Sequence, residues 1–319
     1  ENEQAAEEVD KDLKLAEEIA GSVGCLPVIG QLLLNRGIHS AEAAAAFCEA
    51  SLDHLHDPFL LEDMNAAVER LRLAVERREK ILVFGDYDVD GISGTALLVR
   101  ELNLQGCSPY YYIPNRLVEG YGLNKERIAL AHQEGITLII TVDNGVSNHE
   151  EVRYAGELGI DVIICDHHEP DGQLPPAVAV LNPKRKGSNY PFRELSGVGV
   201  ALKLLTAFCN KLPENLDYTA LGTIADIVPL VDENRILAKA GLEMLNLNGA
   251  AVPGLWELSR VSGLEGKQIT SGNVAFQLAP RLNAAGRLGS GLLGVQLLLT
   301  SSQALAQRIA RKLDEENRN

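Results

Sequence analysis

Three short apolar runs in this chain each end in acids or imidazoles. Residues 80–84 (KILVF) are followed by Asp86, Asp88 and Asp90, residues 138–142 (LIITV) by Asp143, and residues 162–165 (VIIC) by Asp166, His167 and His168. Carboxylates that converge on one crevice repel each other, so a cluster without partners needs a cation to be tolerable. Oxygen ligands with an imidazole suit Mn²⁺ or Mg²⁺ better than a thiolate-rich zinc environment does. Asp88 and Asp90 lie two apart on a strand-to-helix turn, Asp143 follows the next strand and His167 a third, which together are enough ligands for two ions. A bridging carboxylate would hold such ions about 3.5 to 4 Å apart, one activating water and both clamping phosphoryl oxygens.

Each piece alone has a plainer meaning. An Asp after a strand is commonly a helix N-cap, and this applies to Asp88, Asp143 and Asp166 taken singly. Asp-Asn-Gly at 143–145 reads first as a turn, and a His-His pair as a surface pair or one satisfied core imidazole. Caps, however, do not require three strands in succession to end in ligand chemistry, and the joint occurrence favours a metal centre. A receiver-like or hydrolase-like sheet with one Mg²⁺ and one nucleophilic Asp is the alternative, and it does not call for the His pair. Asp226 adds a second line of evidence, because it interrupts the apolar run 220–230. An unpaired carboxylate there is costly, and a metal is its natural partner.

The elements that must position these groups can be read from periodicity. Runs rich in β-branched residues at 80–84, 110–113, 138–142 and 162–165 alternate with helix-period stretches at 95–104, 125–133 and 150–158. Such alternation predicts an α/β fold with a parallel sheet covered by helices on both faces, its ligand crevice beyond the carboxyl ends of the strands. Before it, residues 13–79 carry helical spacing, as in Ile29, Leu32 and Leu33 and again in Ala67, Leu71, Ala74 and Val75. After Gly197 the chain reads helical at 201–208, 220–224, 236–245, 274–278 and 304–313. The expected division is therefore an acidic tail and helical N-terminal region over 1–79, a catalytic α/β domain over 80–230 and a helical extension over 231–319.

Composition narrows the class. Five cysteines are scattered without a CxxC pair and read as reduced thiols, and no apolar run approaches the roughly 20 residues that span a bilayer. The N-terminus is acidic where a secretory leader would be basic and then apolar, so the expected location is cytoplasmic, with no membrane partner. The net charge of -15 argues against a generally basic nucleic-acid surface. Part of that charge is local, with eight acids against Lys11 and Lys14 in residues 1–20, which read as a solvated, partly helical tail. Carboxylates that hold cations also count as negative until the ions cancel them.

The motifs at 85–91 (GDYDVDG), 142–145 (VDNG), 166–168 (DHH) and 225–230 (ADIVPL) resemble, in order and spacing, those of the DHH phosphoesterases, and more narrowly the RecJ single-strand-specific exonucleases. The resemblance extends to 56–61 (HDPFLL), 112–116 (YIPNR), 119–122 (EGYG), 197–200 (GVGV) and 280–287 (PRLNAAGR), and covers 13–317. It implies Asp88, Asp90, Asp143, His167 and Asp226 as ligands of two Mn²⁺ or Mg²⁺ ions, with Asp143 bridging and Asp86 a further ligand. Phe84 stands at a variable position of the family and cannot ligate. His168 would contact the scissile phosphate, with Asp166 beside it in the catalytic set. Arg116, Arg281 and Asn283 would hold DNA phosphates, Arg through its bidentate geometry; a helix-terminal salt bridge is the plain alternative for Arg281.

The implied activity is 5′-to-3′ hydrolysis of single-stranded DNA in repair and recombination, with a single-strand-binding protein and a helicase as partners. A small-substrate DHH phosphoesterase acting on short oligonucleotides, cyclic dinucleotides or pyrophosphate is one rival. The other is an inactive RecJ-like scaffold, which should have lost ligands that this sequence keeps. The family continues into a second domain with a glycine-rich, His-containing motif, and residues 301–319 read as the helix leading toward it. The expectation is a complete metal site beside an incomplete substrate cleft.

Overall fold

The computed structural model describes residues 2–115, 118–248, 252–287 and 291–318. Among them β1 (Lys80–Gly85), β2 (Tyr110–Tyr112), β3 (Ile136–Val142), β4 (Asp161–Cys165) and β5 (Ala179–Leu181) form one parallel sheet in the order β2-β1-β3-β4-β5. Side chains alternate across a strand, and the β-branched runs use that alternation to build two cores. Ile81, Val83, Leu138, Ile140 and Ile163 face one core, under the helices Met64–Glu76, Val89–Leu104 and Gly197–Cys209. Leu82, Phe84, Ile139, Val162 and Ile164 face the other, under Lys125–Gln133 and His149–Glu157. The α/β expectation is met, with both faces covered.

Two differences from the periodicity reading have physical causes. The helix after β1 starts at Val89 rather than near residue 95, because Asp88 caps it: its Oδ1 accepts from the Asp90 and Gly91 amides at 3.0 and 3.1 Å. Strand β5 is no shorter than β2, three residues each, but its Ala-Val-Leu carries a weaker strand signal than the Tyr-Tyr-Tyr of β2. The first helix, Asn2–Ser22, is not wholly a solvated tail. Ala16 and Ile19 are buried with Leu33, Leu34, Ile38 and Ala44 in a small satellite core.

The helices Leu216–Ala225, Asp232–Asn248, Pro253–Val261, Gly291–Leu299 and Gln303–Arg318 pack onto the first core, which runs from Leu61 to Leu313. No single helix among the described residues is long and apolar enough to cross a membrane.

Register fixes where the chemistry falls. Gly85 pairs with Val142 and Val142 with Cys165, so β1, β3 and β4 end level. The ladder runs one residue further, as the amides of Asp86, Asp143 and Asp166 donate to Val142 O, Cys165 O and Leu181 O at 3.2, 2.9 and 3.1 Å. Three acids are thereby set side by side along one edge.

Candidate metal centre

Asp143 occupies the middle of that edge. Its φ of 62° is the left-handed conformation that non-glycine residues rarely adopt. The turn around it is braced: Asn144 Nδ2 donates to Val142 O at 2.8 Å and Thr141 Oγ1 to Asn144 O at 2.7 Å. Asp-Asn-Gly is thus a turn as well as a site. Asp143 belongs to a group with Asp86 and Asp88 on one side, and it meets His167 on the other, 3.1 Å from Oδ1 to Nε2. His167 Nε2 also lies 3.5 Å from Asp226 Oδ2 and 3.9 Å from Asp90 Oδ2.

None of those approaches is a hydrogen bond. Asp86 Oδ1, Asp143 Oδ1 and both ring nitrogens of His167 are buried without a hydrogen-bond partner among the described residues. Buried polar atoms are normally satisfied, so the orphaned Asp143 Oδ1 and His167 Nε2, 3.1 Å apart, mark a place for a ligand. Oxygens with one imidazole nitrogen are the donor set for Mn²⁺ or Mg²⁺. The residues fit such ions, with Asp86, Asp88 and Asp143 as one group, Asp90, His167 and Asp226 as a second, and Asp143 reaching both.

The electrostatics agree. Burial, then the charge of Asp88, pushes Asp86 up to about 7. Burial and the same neighbour raise Asp226 to about 6. Burial with the surrounding acids raises Asp143 and Asp90 well above the carboxylate range. Burial, then the charge of His168, brings His167 down to about 4, which keeps its lone pair free. A divalent cation would reverse the shifts of the acids.

Helices hold the ligands from behind. Asp90 accepts from the Gly197 and Val198 amides at 2.6 and 2.9 Å, at the N-terminus of the Gly197–Cys209 helix, where the dipole favours a carboxylate. Glycines allow this approach: a Cβ on Gly222 would lie 2.6 Å from Asp90 Oδ1, and one on Gly197 2.7 Å from Asp143 Cβ. Asp226 caps the C-terminus of Leu216–Ala225, which delivers it to the same point.

Asp166, placed with the catalytic residues, faces away from the cluster. Its Oδ1 lies 2.7 Å from His168 Nδ1 and accepts from the His167 amide at 2.8 Å, while Oδ2 accepts from the Val146 amide at 2.9 Å. Burial would raise its pKa, but these bonds and the His168 charge hold it below the ordinary value. Asp166 is a brace for His168, which is about half exposed and lines a cavity of about 350 Å³ with Asp86, Tyr87, Asp88, Tyr121, Asn283 and Gly286.

Asn283 is therefore at the site, and its Oδ1 accepts from the Val89 amide at 3.1 Å. Arg281 is engaged elsewhere. Its Nε donates to Asp314 Oδ1 at 2.9 Å and its Nη1 to Gln277 O at 2.7 Å, an ion pair between two helices. Arg116 lies outside the described residues. Sequence reasoning gave no role to Tyr121, although the 119–122 motif contains it, or to the Gly197 and Val198 amides.

Residues 80–227 match the DHH family, N-terminal domain. The single-stranded-DNA-specific exonuclease RecJ of Bacillus subtilis is 42% identical over 293 residues, covering 92% of this chain and 37% of its own length. A crystal structure of exonuclease RecJ bound to manganese superposes with a TM-score of 0.73 at 40% identity, over 81% of this chain and 66% of that one. RecJ from Thermus thermophilus in complex with Mn²⁺ gives 0.80 at 33% identity, over 96% and 44%. This chain thus spans about four tenths of the Bacillus and Thermus proteins, 37% and 44%. With the motif order, the sheet register and the orphaned acid cluster all in agreement, the chain belongs to the DHH family, and its similarity within that family is to the RecJ proteins.

Proposed function

We propose that this chain hydrolyses phosphodiester bonds of single-stranded DNA from the 5′ end, using two Mn²⁺ or Mg²⁺ ions. The observation that carries the reading is the set of partnerless carboxylate oxygens with the His167 Nε2 around Asp143, level with the ends of three parallel strands. Asp86, Asp88 and Asp143 would hold one ion and Asp90, His167 and Asp226 the other, with Asp143 shared. Bound there, such ions supply an activated water and charge for the phosphoryl oxygens. With Nδ1 held by Asp166, His168 would have its other nitrogen left for a scissile phosphate in the cavity it lines. Asn283 lines the same cavity with its Oδ1 taken by the Val89 amide, which leaves its side-chain NH₂ as a donor, and Arg281 steadies the helix that carries it through Asp314. Arg116 completes the phosphate contacts in this reading.

The catalytic unit would be residues 80–230, with 1–79 and 231–319 as helical flanks. The setting would be the cytoplasm, in repair and recombination, where a helicase exposes the strand and a single-strand-binding protein covers it. End-labelled single-stranded DNA incubated with Mn²⁺ and the protein tests the proposal. Mononucleotides released from the 5′ end support it. Cleavage confined to dinucleotides or other small phosphoesters would assign the site to a small-substrate phosphoesterase, and no turnover would leave a scaffold.

A further inference from the structure

Among the described residues of its loop, Tyr121 reaches the acid edge. Its hydroxyl donates to Asp143 O at 2.8 Å and lies 3.2 Å from His168 Nδ1, and its ring meets the His168 ring edge-on at 5.7 Å. The loop is stapled on both sides of it. Before Tyr121, Glu119 accepts from Tyr112 Oη and the Asn115 amide, each at 2.8 Å. After it, Asn148 pairs with the Leu123 amide and carbonyl, both at 3.3 Å. Gly122, at φ 78°, passes so close that a Cβ would lie 2.6 Å from Asn148 Oδ1. Held this firmly, the loop presents the Tyr121 side chain, which ends on the main chain of a residue in a strained conformation.

We propose that Tyr121 is a positioning residue: its hydroxyl pins the left-handed turn of Asp143, so that the Asp143 carboxylate stays between the two groups of acids, and it braces His168 at Nδ1, the same nitrogen that Asp166 holds. This rests on the metal-dependent reading of the site. The single hydroxyl proton is committed to Asp143 O, so the Tyr121 oxygen can only accept from His168. Nδ1–H is then shared between Asp166 and Tyr121, and Nε2 is left for the cavity.

Tyr121→Phe removes the hydroxyl and keeps the ring on His168. Without metal the acids repel one another, so a bond that holds Asp143 among them adds little to stability; its value emerges once cations are bound. Calorimetric titration with Mn²⁺ should show affinity about ten-fold or more below wild type, the range for groups that orient metal ligands. The melting temperature of the metal-free variant should not move, and kcat on single-stranded DNA should fall with KM nearly unchanged. Wild-type Mn²⁺ affinity in Tyr121→Phe would overturn the assignment, as would a metal-free melting temperature lowered in step with the affinity. Tyr121→Leu separates ring from hydroxyl: if only Leu loses Mn²⁺ affinity, packing rather than the hydroxyl is responsible and the proposal fails. The titration needs no turnover, so a wild-type protein that leaves DNA intact would refute the nuclease reading without touching this one.

Discussion

The sheet gathers acids at both of its ends and treats them in opposite ways. At the amino ends Arg70 donates Nε to Asp161 Oδ2 at 2.5 Å and Nη2 to Glu79 Oε2 at 2.6 Å, and Thr137 Oγ1 adds a bond to the same Glu79 oxygen at 2.8 Å. Burial would raise Glu79, but Arg70 and Thr137 outweigh it and hold the group below its ordinary range. At the carboxyl ends Asp86 is pushed up to about 7 by burial and by Asp88. Lys203, paired with Glu233 in the interior, repeats the first solution. Where an acid need only be stable, the chain supplies the cation itself. Where the strands point into the crevice, the charges of His168 and Lys184 do not outweigh burial and the neighbouring acids, so Asp86 and Asp226 stay raised and a cation from outside gains most there.

The sharpest way to break this contrast is Asp143→Ala. Groups that merely orient metal ligands cost about 10 to 100-fold in affinity, so loss of a ligand shared by two ions should exceed the upper end of that range and abolish hydrolysis. Asp86→Ala should cost less, because Asp86 stands in one group only. Calorimetry with Mn²⁺ on both variants measures the difference, and equal losses would remove Asp143 from the bridging position. Next in size, Asp226→Asn should leave the metal-free fold intact while removing activity and most of the thermal stabilisation given by Mn²⁺, since the amide relieves repulsion but is a poorer ligand. Stabilisation equal to wild type would make Asp226 structural.

Arg70→Met tests the other end of the sheet. Leaving the part-buried Glu79 without its partner should cost about 1–3 kcal/mol in urea unfolding, with Mn²⁺ affinity unchanged. A fall in that affinity would show that the two ends are not independent. The smallest effect concerns pH. Asp86 and Asp226 have folded values of about 7 and about 6 against an ordinary 3.8, so the folded state keeps protons that the unfolded chain has lost. Their contribution to stability is present in full below about pH 4 and is lost as pH rises through 6 and 7. Melts in EDTA across that range should show the decline, and saturating Mn²⁺ should cancel it. A flat metal-free profile would mean that the acids at the carboxyl ends are no worse off than Glu79.

Residue type and strand-end position are properties of the sequence, and they sufficed for Asp88, Asp90, Asp143, His167 and Asp226, which the structure brings together. The direction in which a side chain's atoms point is not such a property. Asp88 proves to be both a cap and a member of the acid group, and Asp166, of the same type in the same kind of place, turns both oxygens away. Arg281 finds Asp314 on a helix that only tertiary packing brings near. Tyr121 comes from a loop without periodicity and acts on a backbone carbonyl, so no spacing rule could have found it. The fold was legible where runs were rich in β-branched or aromatic residues, as in the three tyrosines of β2, and less so in the equally short Ala-Val-Leu of β5.

The glycines at Gly197 and Gly222 also bear on rates. Two helices close over Asp90 and Asp143 at distances that admit no Cβ, and both helices follow the sheet in sequence. Contacts between distant parts of a chain are slow to form, so the strands would align while their acids are still hydrated, and the docking of Leu216–Ala225 would remove that water last. Interactions absent from the folding transition state act on unfolding alone. Mn²⁺ should therefore leave the refolding rate nearly as it is and slow unfolding, making the cation a bolt on the finished structure rather than a seed for it.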